Sequence, residues 1–375
     1  MDYLKNYKIT VEALGPVFVG SGDKIGKKEY VFEKFENKVL VPDLAKMISG
    51  LDKLKALGKY EYYLLNENSD LYFFFKNNNI GKEQYTKWMT YSLESGDAVF
   101  ENRGKKEILT FTKDAYGLPY IPGSSLKGAV RTALLAAGIL DNTADYDIYR
   151  KSIPNADSWK RNSYLGREIS EIETKEFNTL NRKENRQSDA VNDSMVGIQI
   201  SDSKPLKLSD LVLCQKIDVN TSNEEKRMPI LRECIKPGTK IEFALTIDTM
   251  LSKYDISNIT SALSKFYSFN YEIFQKSFKK QKSSAITPLY LGGGCGYTSK
   301  TVTYPIFGKL AGVKEVSRII DNTLPLKAKA EHKHNKDESY GVSPHILKCT
   351  RYQNTLFEMG LCNMKIDRYS SDLYD

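Results

Sequence analysis

The chain has 375 residues, 41% of them hydrophobic and 27% charged, with a formal net charge of +8 and a pI near 8.9. A mean hydropathy of -0.46, with no apolar run near the roughly 20 residues of a spanning helix, argues against a helical membrane protein. At ~100–200 residues per domain the length fits two domains or one heavily decorated one.

The charge biases the protein toward anionic partners. The 24 tyrosines suit a base-stacking surface, with amphipathic filler at core edges as the plainer reading. The five cysteines, Cys214, Cys234, Cys295, Cys349 and Cys362, are scattered and contain no C-x-x-C pair. This predicts a reduced, cytoplasmic chain without a disulfide framework or a zinc site. The first residues, MDYLKNYKITVEA, carry no charged-then-apolar signal pattern, so export is not expected.

Residues 7–19, YKITVEALGPVFV, alternate as a half-buried strand. GSGDKIGKK (20–28) reads as a glycine-rich basic loop, and residues 29–43 as a hairpin turning at Glu36 and Asn37. Asp43 then caps a helix that runs to Gly58. Residues 60–115 break the rhythm and read as an insertion. Within it LYFFF (71–75) is a buried strand or helix before it is a stacking platform, and a short helix surrounds Trp88.

IPGSSLKGAVRTALL (121–135) opens a helix over 124–138. Leu126, Ala129, Val130, Ala133, Leu134 and Ala137 fall on one face and are buried. Ser124 and Ser125 stand at cap positions. Lys127 and Arg131 are four apart, on one side and off the apolar stripe. Orphan N–H groups, hydroxyls and two cations together make a phosphate cradle. An ordinary serine-capped helix is the alternative, and composition leaves it open. Gly123 and Gly128 have P-loop spacing, but Ala129 and Val130 follow where lysine and Ser/Thr are required.

Residues 141–195 are dense in charge, Asn and Ser, and predict mobile loops with a helix near 166–180. Four β-like runs follow at 196–202, 211–219, 228–235 and 240–248, then an amphipathic helix over 255–280. LYLGGGCGYTSKT (289–301) places Gly292, Gly293, Gly294 and Gly296 within five residues, ahead of Tyr297 and Lys300. Such a loop lets backbone approach a ligand and can form an anion nest, with Tyr297 stacking on a base and Lys300 reaching a phosphate; a tight turn is the plainer reading. Residues 327–340 read as a charged flexible segment. Its His332 and His334, two apart, are expected to be solvated rather than metal-bound. A short apolar piece, PHILKCTRY, precedes a polar tail.

Taken in order, GPVFVGSG, IPGSSLKGAVRTALL, LRECIKPGTKIEFALTID and LYLGGGCGYTSKT resemble the RAMP proteins of type III CRISPR systems, in particular the Csm subunit type that caps the 3′ end of the guide RNA in type III-A complexes. The resemblance covers most of the chain. It implies an α+β fold with an RRM-like (ferredoxin-like) RAMP core, large insertions and a divergent second α+β half. Residues 1–200 would form the N-terminal RRM-like domain, with insertions at 60–115 and 141–195. Residues 201–375 would form a C-terminal α+β domain carrying the glycine-rich loop.

The resemblance also implies binding of crRNA and docking on the Csm backbone subunit. The partner list extends to the small helical Csm subunit, target RNA and host ribonucleases that trim the crRNA. Ser124, Ser125, Lys127 and Arg131 carry over as RNA-backbone contacts, and Gly20, Ser21 and Gly22 match the family's first glycine turn. Gly292, Gly293, Gly294 and Gly296 match its C-terminal glycine loop. The chain departs from the family's catalytic members. Asp23 lacks the Asp-x-Pro setting of the target-cleaving subunits, and no histidine precedes His332 where the repeat-processing enzymes use one. The expectation is a non-catalytic subunit without cofactor or metal. The alternative is a metal-dependent ribonuclease using Asp23, or the acidic insertion around Asp189 and Asp193.

Overall fold

The structure, a computed structural model, describes residues 3–98, 107–156 and 164–368. Parts of both predicted insertions, 99–106 and 157–163, and the last residues of the predicted tail lie outside the described residues. In chain order the strands are β1 (Leu4–Ala13), β2 (Gly20–Ile25), β3 (Val31–Glu33), β4 (Lys38–Pro42), β5 (Met89–Glu94), β6 (Glu107–Phe111), β7 (Ile198–Ile200), β8 (Leu211–Asn220), β9 (Glu225–Ile235), β10 (Lys240–Asp248), β11 (Pro288–Tyr290), β12 (Ile346–Tyr352), β13 (Thr355–Glu358) and β14 (Leu361–Arg368). The helices are α1 (Leu44–Lys53), α2 (Leu57–Asn66), α3 (Leu71–Asn77), α4 (Lys82–Tyr85), α5 (Gly123–Asp141), α6 (Asp147–Ser152), α7 (Gly166–Phe177), α8 (Ile256–Ile273), α9 (Thr303–Thr323), α10 (Leu326–His332) and α11 (Asp337–Tyr340).

Tyr7, Ile9, Val11 and Ala13 of β1 alternate inward, as a strand with one buried face requires. β1 is the middle of an antiparallel five-stranded sheet of order β11-β14-β1-β10-β7. Its apolar residues meet partners directly across the ladders: Ile9 faces Phe243 and Ile366, and Val11 faces Ile241 and Met364. Helices α5 and α8 pack together, burying Leu126, Val130 and Ala133 of one and Ile259, Leu263 and Phe266 of the other in the same core as β1. The run β1-α5-β7-β10-α8 and the spatial order β14-β1-β10-β7 give the split βαββαβ arrangement expected for a ferredoxin-like core. The fourth place, beside β1, is taken by β14 rather than by β11, which directly follows α8 and lies one position further out.

The second sheet runs β2-β6-β9-β8-β5-β4-β3, with the β12–β13 hairpin joined to β8. Both sheets draw strands from each side of residue 200, so the two halves of the sequence interleave. Helices α1 to α4 close a satellite core of Met47, Leu51, Tyr60, Tyr63, Phe74, Phe75 and Tyr85, which joins the first part of the predicted insertion to the helix before it. LYFFF is helical and opens α3. It buries Leu71, Phe74 and Phe75 and leaves Tyr72 and Phe73 exposed. Among the described residues no helix is long and apolar enough to cross a membrane.

Several expectations need correction. The glycine-rich stretch at 20–28 is mostly strand β2, held by β6. The helix capped by Asp43 ends at Lys53, and Gly58 falls inside α2. Described parts of 141–195 are ordered beyond the predicted helix at 166–180: α6 forms, and Asn192, fully buried, donates to the carbonyls of Lys183 and Arg186. Residues 327–340 are largely helical. Lys327, Glu331, Lys333 and Lys336 stay accessible while His334 and Asp337, one turn apart, point inward and satisfy each other. The polar tail is the β13–β14 hairpin, whose second strand carries Cys362 and Met364 into the core.

Candidate nucleic-acid interface

Two of the glycine stretches meet at Phe18. Beyond β1 the chain passes through Val17 and Phe18 into β2, and Phe18 forms a bridge with Gly293. The Gly293 N–H donates to the Phe18 carbonyl at 2.6 Å. Gly292 has φ +81°, and a Cβ there would sit 2.2 Å from the Phe18 oxygen, so this crossing admits only glycine. On the other flank the Phe18 ring lies under Gly20. Gly20, Ser21 and Gly22 are exposed, and Ser21 Oγ bonds Thr110 Oγ1 at 2.6 Å across to β6.

Cations gather around the second turn. Arg232, on β9, lays its guanidinium over the Phe18 ring, 5.5 Å from the centroid, with Nη1 reaching the space beside Gly294. Its Nε–H is sealed from solvent without a hydrogen-bond partner, and among the described residues no carboxylate pairs with the guanidinium. Lys348 of β12 passes beside Gly296 and shares Asp218 with Lys216, two ammoniums on one carboxylate. Burial, reinforced by the Lys348 charge, holds the Lys216 ammonium below the ordinary lysine value. Lys300 is exposed at the end of the turn. Tyr297 is half-buried, packed against two hydrophobic clusters, with its hydroxyl bonded to Thr303 Oγ1 at 2.9 Å. Its ring is therefore mostly committed to protein packing.

The motif helix adjoins this region through one narrow cleft, lined by Ala129 of α5, Ser299 beyond the glycine turn, and Tyr267 and Tyr290. Its N-terminus differs from expectation. Pro122 is the residue before the first turn, so Ser124 and Ser125 lie inside the helix and neither caps it. Gly123 packs against the backbone of Ile200 and Ser201, and its N–H donates to Asp202 Oδ1 at 2.8 Å. The protein's own carboxylate thus stands at the positive helix end. Ser124 remains exposed.

Lys127 and Arg131 share a side as predicted, but their surroundings differ. Arg131 donates to Asp193 Oδ2 at 2.7 Å and Glu173 Oε2 at 2.9 Å, over the Phe177 ring at 3.9 Å. Lys127 is half-buried and forms no ion pair among the described residues. Burial, with the Arg131 charge, lowers its pKa, while Asp193 pulls the other way.

The acidic residues of the ribonuclease alternative are dispersed in role. Asp189 caps Val191 N and pairs with Lys183, Asp193 caps Met195 N and pairs with Arg131, and Asp23 is exposed on β2. Among the described residues none of the three belongs to a group of three metal-capable side chains. Arg232, Lys216 and Lys348 escaped the sequence reading because they are spread over β9, β8 and β12 and meet only in the folded sheet.

Residues 10–285 match the RAMP superfamily. A CRISPR system Cms protein Csm5 from Streptococcus thermophilus is 30% identical over 315 residues, covering 80% of this chain and 81% of that protein. The protein of the same name from Mycobacterium tuberculosis (strain CDC 1551 / Oshkosh) is 28% identical over 392 residues, covering 98% and 99%. Among solved structures, a chain of a cryo-EM Csm-crRNA-target RNA ternary complex of a type III-A CRISPR-Cas system superposes with TM-score 0.65 at 19% identity, over 96% of this chain and 100% of that one. The crystal structure of T. onnurineus Csm5 gives TM-score 0.59 at 17% identity, covering 94% and 99%.

Proposed function

The chain belongs to the RAMP superfamily and, within it, to the Csm5 family of type III CRISPR Csm-complex subunits, and from that premise we propose that it binds the 3′ region of the crRNA and caps the backbone filament without chemistry of its own. The observation that carries the reading is the glycine turn locked onto Phe18 beside the unpaired Arg232 guanidinium. A cation half-buried without a carboxylate is costly, and a phosphate oxygen would offset that cost. In this reading the exposed Gly20–Gly22, the glycine turn, Lys300, Lys127 and Ser124 supply further contacts to the RNA backbone. Phosphate contacts give affinity without reading sequence, which suits a subunit that must hold many different guides. Arg131 serves this surface by tying α5 to α7. The backbone Csm subunit, the small helical subunit and target RNA are its neighbours in this reading. The capped end sets how far host ribonucleases trim the guide in the cytoplasm.

The test is Arg232→Gln, assayed by filter binding to single-stranded RNAs of unrelated sequence. Affinity should fall to a similar extent for all of them, and the slope of log K against log salt should flatten by about 0.7 for the one lost phosphate contact. Unchanged affinity and slope in a folded variant would remove Arg232 and its turn from the interface. Mg²⁺-dependent RNA cleavage that disappears in Asp23→Ala would replace the capping role with the ribonuclease one.

A further inference from the structure

His332 and His334 are expected from the sequence to be solvated, yet His334 is buried beside a carboxylate that His345, half-buried, also contacts. His334 and Asp337 lie one turn apart, and His345 enters from the loop before β12. His334 Nδ1 is 3.0 Å from Asp337 Oδ2, and His345 Nδ1 contacts Asp337 Oδ1. One donor atom from each of the three lies within 4.8 Å of the others. Asp337 is fully buried, His334 is 7% exposed, and Val316, Val342 and Leu347 form the adjacent core. Ser343 Oγ donates to Asp337 Oδ2 at 2.6 Å, and Ser317 Oγ donates to the His334 carbonyl at 2.7 Å, so both the carboxylate and the backbone of one imidazole are held from outside.

We propose that His334, Asp337 and His345 form a binding site for one Zn²⁺ ion. Nitrogen and carboxylate donors in this combination suit zinc, at about 2.0–2.2 Å per bond. Tetrahedral bonds of that length separate neighbouring donors by roughly 3.3 Å, a spacing these side chains reach by small rotations. Each imidazole would bind through Nδ1, its proton residing on Nε2. Asp337 would bind through one oxygen and keep the Ser343 hydrogen bond on the other, the outer contact that orients a ligating carboxylate. A water would complete the coordination. The ion would pin α11 and the loop bearing His345 to the start of β12, the strand that carries Lys348 to the glycine turn. The ion would thus brace this corner of the fold, and the proposal stands whether or not the RNA reading holds.

The experiment uses the full-length chain, stripped with chelator and re-supplied with Zn²⁺, and then with Co²⁺ as a spectroscopic probe. Expected are stoichiometric zinc retained through gel filtration, a rise in melting temperature on zinc addition, and the intense visible bands of tetrahedral Co²⁺, bleached by competing Zn²⁺. His345→Ala should lose the bands and the thermal shift, whereas His332→Ala should keep both. The wild-type Co²⁺ spectrum and its bleaching need no variant, so a misfolded His345→Ala does not blunt the test. Substoichiometric zinc with no Co²⁺ bands in the folded wild type would overturn the proposal and leave the three residues as a hydrogen-bonded knot.

Discussion

Replacing Arg131 by Met separates a phosphate-binding arginine from a structural one. The substitution keeps the packing of the aliphatic stem and removes only the charge. Arg131 is 26% exposed and its carboxylate partners Glu173 and Asp193 are 40% and 23% exposed, so the pairs lie between surface and interior. Exposed pairs contribute ~0–1 kcal/mol, while breaking a buried one costs ~3–5 kcal/mol. The guanidinium over Phe177 adds ~1–2 kcal/mol. The sum points to a loss of about 2–4 kcal/mol, read by urea denaturation. Binding to single-stranded RNA, titrated from low to high salt, should keep its wild-type slope, because the charge is already neutralised within the protein. Lys127→Ala should do the reverse: stability nearly unchanged, and a slope flatter by about 0.7. If Arg131→Met flattened the slope while leaving the denaturation curve alone, the two short contacts would not exist in solution and the reasoning would fail.

Gly292→Ala forces a left-handed backbone at ~1–2 kcal/mol and a collision with the Phe18 carbonyl, for a total of about 2–5 kcal/mol. Gly296→Ala has room beside Lys348 and should cost only the backbone term, about 1–2 kcal/mol, so equal denaturation midpoints for the two variants would contradict the bridge to Phe18. Glu358, half-buried and accepting from Tyr290 and Gln275, has its pKa raised, chiefly by desolvation of the carboxyl. A carboxyl that is harder to ionise in the folded state leaves stability intact below the unfolded value of 4.5 and erodes it as pH climbs from there through the folded value. Wild type should therefore lose stability relative to Glu358→Gln as pH rises above 4.5, and parallel curves would show that the group ionises freely.

The sequence showed the alternating strands β1 and β10, the apolar runs of β8 and β9 bounded by turn residues, and the helices with a regular apolar stripe, α5 and α8. It did not show β14, because LCNMKIDR mixes charges into its period-two pattern and looks like surface until β1 is placed beside it. Helix α9 went unread because Gly308, at φ +69°, breaks it into two pieces. The start of α5 was misjudged because its capping carboxylate, Asp202, comes from the far side of the second insertion. Local rules favoured the nearby serines. Within the candidate interface the glycines were visible by clustering alone. The status of Arg232 as an unpaired cation is a property of what surrounds it in space, which one strand's residue types cannot express.

Strand β14 lies along β1, with Arg368 opposite Tyr7, and this has a bearing on birth at the ribosome. The opening strand can dock on β10 as soon as that segment emerges, but its other side stays bare until residues 361–368 are made. At ~5–20 residues per second that interval is on the order of ten seconds, long enough for a naked, aliphatic ladder to meet its like on a neighbouring nascent chain. Polysomes making this subunit should thus be unusually dependent on trigger-type chaperoning, and a stop codon placed just ahead of Leu361 should yield aggregate rather than a shortened but serviceable product.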